Sequence, residues 1–214
     1  MSATIDETRA ALLQAALTHV PFDGWGRRAL QAGAEDLGLD RAALDNAFPG
    51  GPGELIEAYF ADIDRRMLEG LEAKDMSELR LRERVAFAVR LRLDLLVPHR
   101  EAVRRGLSFL ALPQNAALSL KLLYRAVDSI WHAVGDRSTD YGFYSKRLLL
   151  AGVYSSTLLV WLDDHSEGHA DTWAFLERRL DDVIKVGPFI GRTMDSLLSI
   201  PDRLVRGRTG GLRP

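Results

Sequence analysis

Apolar positions recur at intervals of three and four along nearly the whole chain, which predicts a helical protein. Leu12, Leu13, Ala16 and Leu17 share one face of a first helix, Asp6 to Thr18, and Val20-Pro21-Phe22-Asp23-Gly24 reads as its break. A second helix, Trp25 to Leu37, carries Ala29, Leu30, Ala34 and Leu37, and Gly38 stops it. Asp40 caps a short third helix, Arg41 to Phe48. After Pro49-Gly50-Gly51-Pro52-Gly53, a long helix from Glu54 to Lys74 bears a stripe of Leu55, Tyr59, Ile63, Met67 and Leu71. In the next segment, Glu78 to Leu96 with Ser77 as cap, Val89, Leu91, Leu93 and Leu95 alternate with Arg90, Arg92 and Asp94. Alternation is a strand signature, but the length, the Leu and Arg content and the want of a partner strand favour helix.

Further helices are predicted over Arg100 to Leu112, Asn115 to Val134, Phe143 to Asp163 and Asp171 to Ile184, with a looser amphipathic piece from Pro188 to Ser199. Gly135 to Gly142 and Asp164 to Gly168 are loops. Phe143 to Asp163 is apolar on nearly every face and belongs at the centre. The pattern divides the chain into a three-helix unit over 1–50, a larger helical domain over 51–185, and an amphipathic segment with a basic tail over 186–214.

Composition narrows the classes. The 214 residues hold 28 basic and 30 acidic side chains, a formal charge of −2, and 47% apolar residues, which is too apolar for extensive disorder and too neutral for a global pull on nucleic acid. There is no cysteine, which excludes disulfides and thiolate-built zinc sites. The N-terminal residues lack the basic and apolar regions of a signal peptide, and no run reaches the ~18 apolar residues of a membrane span.

Few motifs carry chemistry. Gly24-Trp25-Gly26-Arg27-Arg28-Ala29 spells a dinucleotide fingerprint, but it needs a preceding strand and has a helix and a proline turn instead. Asp163, Asp164, His165, Glu167 and His169 crowd one loop, and a solvated acidic turn is the favoured reading over a metal site. No Glu-x-x-His pair, phosphate loop or nucleophile elbow occurs, so neither an enzyme nor a cofactor is expected. The first three helices spell a helix-turn-helix, and with the larger domain behind them the layout resembles the TetR family of repressors. Residues 25–48 hold three Arg against four acids, which is poor chemistry for phosphates and base edges and argues against DNA.

The second half is more specific. Val127-Asp128-Ser129-Ile130-Trp131-His132 is followed by Gly135-Asp136-Arg137-Ser138-Thr139-Asp140-Tyr141, then Phe143-Tyr144-Ser145-Lys146-Arg147, then Asp171-Thr172-Trp173-Ala174-Phe175-Leu176-Glu177-Arg178-Arg179. This succession resembles the ubiquinone-biosynthesis accessory family called Coq-nine, most sharply over residues 127–182.

The resemblance implies an all-α, TetR-like fold without repressor function. It implies a homodimer that binds an isoprenoid lipid or quinone precursor and phospholipid, associates peripherally with a membrane, and assists the di-iron demethoxyubiquinone hydroxylase. A cytoplasmic place beside the inner membrane follows if the source is bacterial. Asp128, Ile130, Trp131, Phe143 and Tyr144 match the family's docking surface for the hydroxylase, with Phe143 standing where relatives often have Trp. Arg147 matches the second base of a doublet assigned to a phospholipid head group, and Lys146 replaces its first Arg. Leu149 and Val153 are the expected lipid-facing positions of the apolar helix.

The residues themselves leave alternatives open. The apolar side chains of the larger domain either line a ligand cavity or fill a solid core. Trp131 is either an interface anchor or the lid on the end of the core. Ile190, Met194, Leu197 and Leu198 recur at helical spacing, and six basic residues against two acidic ones follow from Lys185 onward. That is the pattern of an interfacial segment, or of a helix packed on the domain before a loose tail. A ligand-responsive transcription factor is the rival function.

Overall fold

The computed structural model describes residues 4–135 and 141–183, and among them every regular element is helical. The order is α1 (Ile5–Asp23), α2 (Arg27–Asp36), α3 (Arg41–Ala47), α4 (Pro52–Glu72), α5 (Leu81–Leu96), α6 (Arg100–Leu110), α7 (Ala116–Ala133), α8 (Tyr141–Asp163) and α9 (170–183). The amphipathic piece and basic tail, including Ile190, Met194, Leu197 and Leu198, lie outside the described residues.

Local signals set most of the helix ends. Thr4 and Glu7 exchange side-chain and backbone hydrogen bonds at the start of α1, so two donors that the helix cannot satisfy itself are met. The carboxylate of Asp40 accepts from Ala43 N at 2.8 Å, as expected of the cap of α3. Gly51 turns the chain at φ 64° and Pro52 opens α4, each suited to its place.

Two ends differ most from the pattern. α1 runs through Pro21 and stops only at Gly24, whose φ is 71°. The proline removes one hydrogen bond, but Leu17 and Val20 in this last stretch are buried, and each such burial stabilises by about 1.5–3 kcal/mol. α5 begins at Leu81, not beside Ser77. Glu83 accepts from Arg80 N there, whereas Ser77 N is turned back onto Asp75.

α1 packs on α2 so closely that their backbones touch. A Cβ at Gly33 would lie 2.6 Å from Ala16 N, so only glycine fits. The stripe Leu55, Tyr59, Ile63, Met67 and Leu71 is wholly buried, as the spacing on α4 predicts, and α4 packs against α5 and α7. α8 is central on one side only. Leu150, Val153, Tyr154, Leu158, Trp161 and Leu162 are buried, while Tyr144, Leu148 and Leu159 are exposed. One apolar core runs from the three-helix unit into the larger bundle.

Candidate ligand pocket between α4 and α8

Asp128 on α7 meets Arg147 near the start of α8, whereas Ser119 and Leu122 near the start of α7 share a pocket with Leu158 and Leu159. The two helices are therefore antiparallel, and with α4, α5 and α6 they enclose that pocket. It has a volume of about 220 Å³. Phe60, Leu110, Leu122, Ala126, Tyr154 and Leu158 form its buried walls, and Leu107, Ser119, Leu123, Ser155 and Leu159 stand toward the rim. The cavity is smaller than the usual ~300–1,000 Å³ of a ligand site.

One wall is ionic. Arg92 is 2% exposed, with Nε 3.0 Å and Nη2 2.9 Å from Asp64 Oδ1, and Nη1 donates to Tyr154 Oη. Burial works against the charge on Arg92, but Tyr154 and Asp64 outweigh it and raise its pKa. Burial likewise pushes the Tyr154 phenol up, against the neighbouring guanidinium. The sequence pattern counts Arg92 among the polar residues of an alternating run, and so hides it. The signal was nonetheless present. Arg92 lies at helical spacing from Val85, Val89 and Leu96, all buried, and Asp64 sits among Phe60, Ile63 and Met67.

The expected site residues scatter around this pocket. Val153 is core and Leu149 half-buried, and the α8 side chains that line the cavity are instead Tyr154, Ser155, Leu158 and Leu159. Helical register explains this, since a residue one position away points roughly 100° aside. Ile130 is fully buried at the core end of α7, so it forms no part of a surface. Trp131 is 9% exposed, with Lys146 Nζ 5.9 Å from its ring centroid, so it closes the end of the core as the alternative reading held. Tyr144 is 68% exposed. The side chain of Phe143 lies outside the described residues. Arg147 is buried, with Nε 2.8 Å and Nη2 2.6 Å from Asp128 Oδ1, so two residues expected in separate roles form one ion pair.

The acidic loop is solvated at Asp163, His165 and Glu167, as expected, but not at Asp164. Asp164 is buried and accepts from Ser166 N and Oγ and from Thr172 N and Oγ1, at 2.5–2.9 Å. Burial works to raise its pKa, but these hydrogen bonds outweigh it and hold the carboxyl well below the usual carboxylate range. It joins the end of α8 to the start of α9. Among the described residues no group of acids and histidines is arranged to hold a metal ion.

A family model, COQ9, matches residues 116–187. The chain is 37% identical over 212 residues to "Ubiquinone biosynthesis protein COQ9, mitochondrial" of Rattus norvegicus, covering 96% of this chain and 66% of that protein. It is 34% identical to "Ubiquinone biosynthesis protein COQ9-B, mitochondrial" of Xenopus laevis, covering 96% of this chain and 71% of that protein. The chain belongs to the COQ9 family. It spans just under two thirds of the length of the rat protein and 65% of its human counterpart, to which it is 36% identical. Among solved structures it is similar to a TetR transcriptional regulator from Nitrosomonas europaea, with a TM-score of 0.66 and 25% identity over 81% of this chain and 95% of that one. The all-α, TetR-like fold implied by the resemblance is thus the fold observed. The COQ9 match spans α7 to α9, which includes two of the helices that wall the pocket.

Proposed function

We propose that this COQ9-family chain is a non-catalytic lipid-binding protein of ubiquinone biosynthesis. It binds an isoprenoid quinone precursor at the pocket between α4 and α8 and presents it to the di-iron demethoxyubiquinone hydroxylase. The observation that carries the reading is an apolar cavity whose rim reaches the exposed Leu159, on a helix that also exposes Leu148 and Tyr144. Leu120 and Tyr124 on α7 are exposed as well. Five large apolar side chains on two adjacent helices suit a surface that meets lipid, a partner or a second copy of the chain. The non-catalytic part rests on the pocket's chemistry. Arg92 and Tyr154, both with raised pKa values, hold their protons at neutral pH and supply neither base nor nucleophile.

Three finer assignments belong to the same proposal. Tyr144 anchors the hydroxylase, and Asp128 and Phe143 belong to the same docking assignment. Arg147 pairs a phospholipid head group, with Asp128 holding its guanidinium in place. The protein acts as a homodimer peripheral to a membrane, and among the described residues no helix is long and apolar enough to cross one. Mass spectrometry of lipids copurified with the protein tests the reading. Isoprenoid quinones or their precursors are expected, and their absence from protein purified out of quinone-producing cells would sink it.

The structural likeness to a TetR regulator favours a second reading, a ligand-responsive transcription factor. Against it, Arg41 on α3 is paired with Asp45, at 3.5 Å. Nanomolar, sequence-specific DNA binding that falls steeply with salt would establish the second reading.

A further inference from the structure

We infer that the ligand enters the pocket head first, with a neutral carbonyl or hydroxyl oxygen of its ring taken by Arg92 and Tyr154 at the inner wall and its apolar tail led out past Leu159. The inference rests on the lipid-binding reading and adds to it an orientation and two residues that set specificity.

The first argument is an inventory of donors. Arg92 has five N–H groups, and its contacts with Asp64 and Tyr154 engage three of them at most. Tyr154 Oη accepts from Arg92, which leaves its own hydrogen to donate, and among the described residues no acceptor for it is found. Both side chains line the cavity and both are buried, 2% and 4% exposed. Donors left over on buried side chains beside an apolar lining are costly, and an acceptor oxygen placed there would satisfy groups from both residues at once. The buried hydroxyl of Tyr59, within the electrostatic reach of Arg92 and Tyr154, is likewise without a hydrogen-bond partner.

The second argument is charge. Asp64, 4% exposed, offsets the Arg92 guanidinium and has Arg125 Nε 3.9 Å from its other oxygen, so the wall is a set of donors beside a paired carboxylate, not a bare cation. That suits a quinone or phenol oxygen better than an ionised head group, which would bring a second negative charge into the pocket beside Asp64. The third argument is shape. Every other wall residue named above is apolar apart from Ser119 and Ser155, and these stand toward the rim. A cavity of about 220 Å³ admits a substituted ring and the first isoprene unit, and the rest of a tail has only the rim to leave by.

Two probes separate orientation from simple greasiness: a benzoquinone carrying one isoprenyl unit, and an oxygen-free hydrocarbon of equal length. Their affinities are measured by isothermal titration calorimetry in the wild-type protein, in Tyr154→Phe, and in the double variant Arg92→Met with Asp64→Leu. The double variant removes both charges together, so no buried charge is orphaned, and thermal melting confirms that each variant folds. The expected result is about a tenfold loss of quinone affinity in Tyr154→Phe, a larger loss in the double variant, and unchanged hydrocarbon affinity in both. Unchanged quinone binding in a folded Tyr154→Phe and a folded double variant would overturn the orientation, as would equal losses for the two probes. If wild-type protein binds neither probe, the lipid-binding reading itself fails.

Discussion

The indole Nε1 of Trp25, in the turn between α1 and α2, donates to the carbonyl oxygen of Ala102 on α6 at 2.8 Å. The same ring packs against Tyr59 of α4 with centroids 5.4 Å apart. A Cβ built on Gly106 would come within 3.1 Å of its Nε1. The three-helix unit is thus keyed into the larger bundle through one buried side chain fitted over a glycine.

Trp25→Ala should lower stability by about 3–5 kcal/mol, the usual cost of deleting a large buried aromatic. Unfolding should remain a single transition, because one core serves both parts of the chain. Denaturant melts followed by far-ultraviolet circular dichroism check both statements. Two separated transitions would show that the N-terminal unit folds independently.

Asp64→Ala leaves Arg92 charged in the bundle interior without its carboxylate. A loss of about 3–5 kcal/mol is expected for the single variant, and a clearly smaller one when Arg92→Met accompanies Asp64→Leu. Equal losses in the two proteins would show that the pair contributes nothing through its charge.

Asp164 makes stability depend on acid. Its folded pKa is depressed, so its contribution is present above the ordinary Asp pKa of about 3.9 and is lost as pH falls from there toward the folded value. Asp164→Asn should cost about 2 kcal/mol at neutral pH, since the amide keeps one accepting oxygen and turns an NH2 toward the donors that the other oxygen served. The variant's melting temperature should also fall less than that of the wild-type protein between pH 5 and pH 3. Parallel acid profiles for the two proteins would remove Asp164 as the cause.

Tyr144 is exposed, so Tyr144→Asp should leave the melting temperature within a few degrees of wild type. If it anchors the hydroxylase, affinity for that enzyme should drop by about 2 kcal/mol or more. Titration calorimetry on the folded variant reads this directly. The matching change at Ile130 is not informative, because a charge at that buried position would disrupt the core.

The helical architecture was legible because periodicity and caps act locally. Asp40, Gly51 and Pro52 mark helix ends by their own backbone chemistry, and the stripe on α4 marks its buried face by spacing alone. The site was legible only in part. Trp131 and Tyr144 look alike in sequence, both large aromatics near the α7–α8 connection, yet one is covered and the other is not. Which of them is exposed depends on how α8 crosses α7, and no local pattern records a crossing.

What the sequence by itself determined is the set of helices, the apolar face of most of them, and family membership, since those reside in spacing and in residue order. The tertiary structure alone decided where a cavity lies and what lines it. Arg92 and Asp64 are 28 positions apart and sit on separate helices, and the apolar spacing around each marks a buried face without naming its partner. They become a buried pair because the packing of α4 on α5 brings two apolar faces together, each interrupted by one charge of opposite sign. Pairing across a helix interface is a property of the fold's geometry, and that geometry also places Arg92 and Tyr154 together on the wall of the pocket.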